Sequence, residues 1–203
     1  MRVLVPGFVR AAGLAVVLPL LLGGCLARVL PEPSPPPVTY DFGPLPDEQP
    51  ATLGLPFRLE NVDAPSWLRT QNIYYRRLVE QQAALRPYTR NQWIASTPEL
   101  FAERLEDRLA RAAPESSIEG LPLRLEIVTF EHVYTAHGGS YVIARARAAY
   151  DDFDGRTRRR QFEQRREAAA SVEGATTELP VVADNLLDGV LDWLRGETLD
   201  LER

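Results

Sequence analysis

The chain has little of the side-chain chemistry on which catalytic sites depend, since its 203 residues include one cysteine and two histidines. His132 falls within an alternating segment and His137 adjoins a glycine pair, so neither has the helical i, i+4 partner of a zinc protease. The sequence also lacks a Gly-x-Ser-x-Gly elbow and a glycine-rich loop followed by Lys-Ser or Lys-Thr. We therefore expect that the protein is not an enzyme and has no metal site.

Lysine is absent as well, because all 23 basic residues are arginine, and 28 acidic residues give a net charge of −5. An acidic chain is a poor general binder of nucleic acid, since phosphate backbones attract basic surfaces. We expect no nucleic-acid partner.

The single cysteine lies where the N-terminal hydrophobic run stops. Arg2 and Arg10 give a positive start, and the apolar residues 11–22 are too few for a spanning helix, which needs roughly 20. The run therefore indicates a cleaved signal peptide. Its end, Leu-Gly-Gly-Cys at residues 22–25, resembles the bacterial lipobox, in which the thiol receives diacylglycerol and the new amine is acylated, commonly with palmitate. The alternative is an ordinary signal peptide followed by a free thiol.

A lipidated Cys25 would be a durable tether, because two or more acyl chains hold a protein to a bilayer. By resemblance to proteobacterial lipoproteins, Leu26 in place of aspartate directs the protein to the periplasmic face of the outer membrane. The proline-rich residues 31–37 favour an extended spacer. The predicted organisation is a signal peptide (1–24), a lipidated cysteine with a proline-rich linker (25–50), one domain (51–198) and a short tail (199–203).

Hydrophobic patterning predicts an α/β domain with a mixed, largely antiparallel sheet covered by two main helices. Glycine turns at 137–139 and 154–155 favour an antiparallel meander of the last three strands. The predicted strands are Leu55–Val62, Asn72–Val79, Tyr88–Ile94, Leu123–Tyr134, Tyr141–Tyr150 and Arg156–Ala170.

The first predicted helix opens at Thr97-Pro98-Glu99, with threonine as the cap and proline in the first turn. Its apolar residues recur every fourth position, which puts its charged residues, Glu103, Arg104, Asp107, Arg108 and Arg111, on the wetter side. The second helix is predicted from Glu178 to Arg195, capped by Thr177 and closed by Gly196.

The segment from Arg156 to Arg166 is the most charged part of the chain. On a strand, Arg156, Arg158 and Arg160 share one side while Arg159 and Glu163 lie on the other. Charges on both sides suit an edge strand, where they oppose aggregation. The functional alternative is a docking face for an acidic partner or for phospholipid head groups.

A resemblance to a known family lies in two segments, APSWLRTQNIYYR at 64–76 and YTRNQWIASTPEL at 88–100. They resemble the ABC-type transport auxiliary lipoprotein family, whose best-known branch is the paraquat-inducible, PqiC-like lipoproteins. The lipobox, an early Tyr-Asp-Phe strand, the Asp-Gly hairpin and the C-terminal helix follow in the family's order. The sequence departs from the pattern at Trp67, where tyrosine is common, and at residues 94–96.

The resemblance implies a non-catalytic outer-membrane lipoprotein that works with ABC transporter subunits or a mammalian-cell-entry (MCE) domain protein. Such systems move lipid between membranes and maintain envelope integrity, and family members may form homo-oligomeric rings. The aromatic residues to examine for partner contact are Trp67, Tyr74 and Tyr75, whereas Trp93 is expected to fill the core. The alternative function is a structural envelope lipoprotein that binds peptidoglycan or an assembly machine without handling lipid.

Overall fold

The structure, a computed structural model, describes residues 35–44, 55–112 and 120–201. Residues 200 and 201 are described by their backbone alone. Cys25, the signal peptide and the first half of the proline-rich spacer lie outside the described residues. The described chain confirms the predicted mixed α/β architecture, with a seven-stranded sheet and two helices. The strands are β1 (Val38–Tyr40), β2 (Phe57–Asp63), β3 (Asn72–Arg77), β4 (Leu85–Trp93), β5 (Leu121–Tyr134), β6 (Ser140–Asp151) and β7 (Thr157–Ala168), and the helices are α1 (Thr97–Ala112) and α2 (Val172–Leu201).

The sheet has the order β1-β4-β3-β5-β6-β7, and β2 also pairs with β5. Strands β5, β6 and β7 form the predicted antiparallel meander, with Gly138 and Gly155 at positive φ in its two turns. β2 runs parallel to the first half of β5, and β3 runs parallel to its last residues. The long strand β5 therefore joins both halves of the sheet.

Both helices cover the same face of the sheet. On β6 this face consists of Val142 and the small residues Ala144, Ala146 and Ala148, all fully buried, so that α2 approaches the strands closely. Trp93 is also buried, as predicted, and its ring centroid lies 5.5 Å from that of Phe42 in an edge-on contact. The opposite face is charged, with ion pairs such as Arg145–Glu163 between facing residues of neighbouring strands.

The N-terminus of α1 differs from the predicted cap by one residue. Glu99 accepts hydrogen bonds from the backbone N–H and the hydroxyl of Ser96, both within 2.8 Å, so the cap is Ser96. These bonds lower the pKa of the Glu99 carboxyl. Thr97 is the first helical residue and is buried. The prediction of a hydroxyl residue as the cap was correct, but the residue is Ser96. The Ser-x-x-Glu spacing identifies this cap better than a threonine before proline does.

Helix α2 is longer than predicted at both ends. It begins at Val172, where the Ser171 hydroxyl accepts from the Gly174 N–H at 3.2 Å, and it continues through Gly196 to Leu201. Thr177 is therefore not a cap, and Pro180 lies inside the helix. Packing of the helix along the sheet overrides the local stop signals of proline and glycine. Neither α1 nor α2 is long and apolar enough to cross a membrane, and the described residues contain no other helix.

The prediction that Arg104 and Arg108 face solvent is wrong. Their exposed fractions are 5% and 7%, because both side chains lie between α1 and the neighbouring α2. Both guanidinium groups reach Asp184 of α2, at 3.3 and 2.8 Å, and Arg108 also contacts Asp188. Burial of these charges is balanced by charge-assisted hydrogen bonds across the helix pair.

Candidate functional site

The predicted aromatic residues Trp67 and Tyr74 form a local contact beside the turn after β2. Their ring centroids are 5.4 Å apart in an edge-on arrangement. The Tyr74 hydroxyl lies 3.3 Å from the Thr70 hydroxyl and accepts from the Asn72 amide at 3.1 Å. Both rings are half-buried against the core. Each is therefore shared between the core and the surface of the turn.

Tyr75 belongs to a different group of rings, which we call the tyrosine cluster: Tyr75, Tyr88, His132 and Tyr134. Neighbouring strands bring these residues together, because β3 pairs with both β4 and β5. The Tyr75 ring centroid lies 4.7 Å from that of Tyr88 and 5.9 Å from that of Tyr134. The Arg77 guanidinium lies 5.3 Å from the centre of the Tyr134 ring, a cation–π contact.

Hydroxyl groups link the tyrosine cluster to a buried imidazole. The Tyr88 hydroxyl lies 2.8 Å from Nδ1 of His132 and 2.9 Å from the Tyr134 hydroxyl, so its single hydrogen goes to one neighbour while it accepts from the other. His132 is fully buried, and its Nε2 has no hydrogen-bond partner among the described residues. Burial lowers the pKa of His132 to about 4 and raises the pKa of Tyr88. His132 and Tyr88 are therefore both uncharged at neutral pH.

Sequence reasoning missed Tyr88, His132 and Tyr134 as one group. The i, i+2 spacing of His132 and Tyr134 places both side chains on one face of a strand, which was a usable signal. Their meeting with Tyr88 depends on the pairing of three strands that are not all consecutive, and no local pattern reports such pairing.

The predicted arginines lie at the other edge of the sheet. Arg156 is in the β6–β7 turn, 3.7 Å from Asp154, while Arg158 lies 3.2 Å from Asp152, a side chain only 5% exposed. The backbone N–H of Arg156 and the Arg158 side chain both donate to Asp152 and lower the pKa of that carboxyl. Arg160 lies over the Phe162 ring, at 5.7 Å from its centre.

The structure does not bring the predicted aromatic residues and arginines into one site. Across the sheet from β3 to β7, Tyr75 is the register partner of His132, His132 of Val142, and Val142 of Arg166. This row of paired residues therefore ends at Arg166. Three strand spacings of about 4.8 Å separate its ends. Arg160 lies six residues further along β7, a distance of about 20 Å at the rise of a strand. The two groups are separate candidate surfaces.

A cleft of about 560 Å³ lies between the segment after β1 and the first half of α2. Exposed Ile94 and half-buried Val181 contribute apolar walls, and Asp184 lies at its base. The Asp184 carboxylate is already bound by Arg104 and Arg108, which leaves the cleft without a free charged group at that position. The described residues contain no group of three His, Cys, Asp or Glu side chains able to hold a metal ion.

Comparison with known proteins supports the fold. No family model and no curated protein matches the sequence. Among solved structures, a Xanthomonas campestris protein of family DUF330 aligns with a TM-score of 0.64 and 13% identity, over 85% of this chain and 94% of its own. A second structure, described as an uncharacterized protein, aligns with a TM-score of 0.51 and 14% identity, over 80% of this chain and 99% of its own.

DUF330 is the PqiC-like family, so the shared fold agrees with the resemblance found in the sequence. At 13% and 14% identity the likeness establishes a common fold.

Proposed function

We propose that the protein is an outer-membrane lipoprotein that serves as an accessory component of an intermembrane lipid transport system. The observation that carries this proposal is a lipobox-like sequence at Cys25 in front of a domain whose fold is shared with a DUF330 protein. The lipid anchor would fix the chain to the periplasmic face of the outer membrane. The proline-rich spacer would lift the domain from the bilayer, at about 3.1 Å per extended residue.

In this proposal the domain acts by contact with other proteins. Its partners are ABC transporter subunits or an MCE-domain protein, and copies of the chain assemble into a ring around a lipid conduit. The described surface favours this role over catalysis, because its two candidate surfaces consist of tyrosine rings and arginine side chains, which are common in protein interfaces. The half-buried rings of Trp67 and Tyr74 offer a third contact.

The proposal is tested in a deletion strain of the native bacterium that expresses either the normal protein or Cys25→Ala. We expect the normal protein to stay in the outer-membrane fraction after a salt wash and to restore both low envelope permeability and the normal phospholipid distribution between the membranes. Cys25→Ala should fold equally well, be absent from the outer-membrane fraction and fail to restore either property.

Retention of Cys25→Ala in the outer-membrane fraction after the salt wash would contradict the lipid anchor. Restored permeability with an unchanged phospholipid distribution would contradict the transport role and favour a structural envelope lipoprotein.

A further inference from the structure

Strand β7 is the longest free edge of the sheet. It has 12 residues and pairs with β6 alone among the described strands, whereas β1 and β2, which also pair with one strand each, have three and seven residues. The first five residues of β7 are all exposed. An edge of this length presents a row of unpaired backbone groups to solvent.

Hydrogen bonding in the β6–β7 hairpin shows which backbone groups point outward. The N–H of Asp152 donates to the carbonyl of Arg156, and the register of the two strands continues this pairing from Asp151–Thr157 onward. In an antiparallel ladder, hydrogen-bonded pairs alternate with pairs whose N–H and C=O groups point away from each other. The outward groups of β7 therefore belong to its odd-numbered residues, which include Thr157, Arg159 and Gln161. No backbone hydrogen bond within the described chain occupies them.

The charge of β7 is opposite to that of the chain as a whole. The strand holds five arginines and two glutamates, within a protein of net charge −5. Arg158 and Arg166 are paired with Asp152 and Glu178. Within the described residues no carboxylate forms an ion pair with Arg159, Arg160 or Arg165, although Arg165 lies over the Tyr141 ring. The most exposed stretch of the edge thus contains two arginines, Arg159 and Arg160, that have no ion-pair partner among the described residues.

We propose that the free edge of β7, around residues 157–161, accepts an extended acidic segment of a partner protein as an additional strand. Backbone hydrogen bonds to Thr157, Arg159 and Gln161 would give affinity, and carboxylates opposite Arg159 and Arg160 would give selectivity. Antiparallel pairing of residues 157–161 with the same residues of a second copy is disfavoured, because it places Arg159 against Arg159 and Arg158 against Arg160. The arginine side chains that discourage pairing with uncharged or basic strands therefore favour pairing with an acidic one. This inference goes beyond the proposed function and does not depend on lipid transport.

The test uses the full mature chain and a fluorescent ten-residue peptide that repeats Glu-Glu-Thr-Thr, so that carboxylates lie on both faces of the added strand. A peptide with lysine in place of each glutamate is its control. We expect saturable binding of the acidic peptide, weakened by salt, and no binding of the basic one. Gln161→Pro removes an outward N–H and leaves the β6 ladder intact, whereas Gln161→Ala keeps that N–H. The proline variant should bind at least about fivefold more weakly, as expected for the loss of a net hydrogen bond, and the alanine variant should bind normally.

Two further measurements keep the test decisive. Reversing charge with Arg159→Glu and Arg160→Glu should abolish binding of the acidic peptide, while circular dichroism confirms that each variant is folded. Bound peptide should slow amide exchange at Arg159 and Gln161 and leave Arg158 and Arg160 unchanged. Absence of saturable binding would overturn the proposal, and so would binding without this alternating protection, which would mean docking through side chains alone.

Discussion

Replacing Asp184 with alanine should destabilise the protein strongly, because this one carboxylate serves two buried arginines. Arg104 and Arg108 are 5% and 7% exposed. Their contacts with Asp184 measure 3.3 and 2.8 Å. Removing one member of a buried ion pair costs about 3–5 kcal/mol, since the remaining charge stays buried without a partner. Arg108 keeps Asp188 and Arg104 keeps the carbonyl of Phe42, so we expect the lower end of this range, about 3 kcal/mol.

Asp188→Ala is the matched control, because Asp188 contacts the same Arg108 from the same helix but its side chain is 58% exposed. An exposed ion pair contributes about 0.2–1 kcal/mol. Urea unfolding of the mature chain with Cys25→Ser, at pH 7, measures both variants. With a slope of about 2 kcal/mol per molar, Asp184→Ala should lower the midpoint by roughly 1.5 M and Asp188→Ala by at most about 0.5 M. Equal losses below about 1 kcal/mol in the two variants would refute the assignment of Asp184 as the shared buried partner.

Two other predictions concern the buried imidazole and the start of α2. The pKa of His132 is lowered from 6.5 to about 4, so the stability from keeping it neutral is complete above pH 6.5 and is lost as the pH falls toward 4. Between pH 7 and pH 4, the free energy of unfolding of the normal protein should fall by up to about 3 kcal/mol more than that of His132→Phe. Urea unfolding measures both, and identical pH dependences in the two proteins would contradict this. Gly174→Ala should cost roughly 1–3 kcal/mol, because the added Cβ meets the backbone of Ala169. Gly196→Ala, which meets no atom within 4 Å, should instead stabilise the helix by about 0.5–1 kcal/mol, and thermal unfolding that ranks the two variants the other way would refute the close approach at Gly174.

The parts of the fold that follow from local sequence were predictable. The β5–β6–β7 meander was predicted from two glycine turns, and its hairpins lie at Gly138 and Gly155. The apolar stripe of α1 was likewise predicted from its four-residue spacing, and Phe101, Leu105 and Leu109 are buried. In each case the signal lies within a few neighbouring residues. It predicts which side chains are buried without specifying the element that buries them.

The features that were missed depend on contacts between distant elements. Arg104 and Arg108 look solvent-exposed from helical periodicity, because that pattern cannot report that a second helix covers the polar side of the first. The start of α2 at Val172 depends on packing against the sheet rather than on a local cap signal alone. The tyrosine cluster requires the parallel pairing of β3 with β5, where Tyr75 faces His132 across 56 intervening residues. Sequence spacing alone does not determine such pairings.

The proposed function makes this protein part of a lipid transport system, and identifying its partners tests that proposal most directly. The measurement is crosslinking in living cells of the native bacterium, followed by purification of the lipidated protein and mass spectrometry of the bound proteins and lipids. The account predicts recovery of an MCE-domain protein or ABC transporter subunits, and their loss when Cys25→Ala is used. Recovery of cell-wall fragments or assembly factors without any transporter component would contradict it.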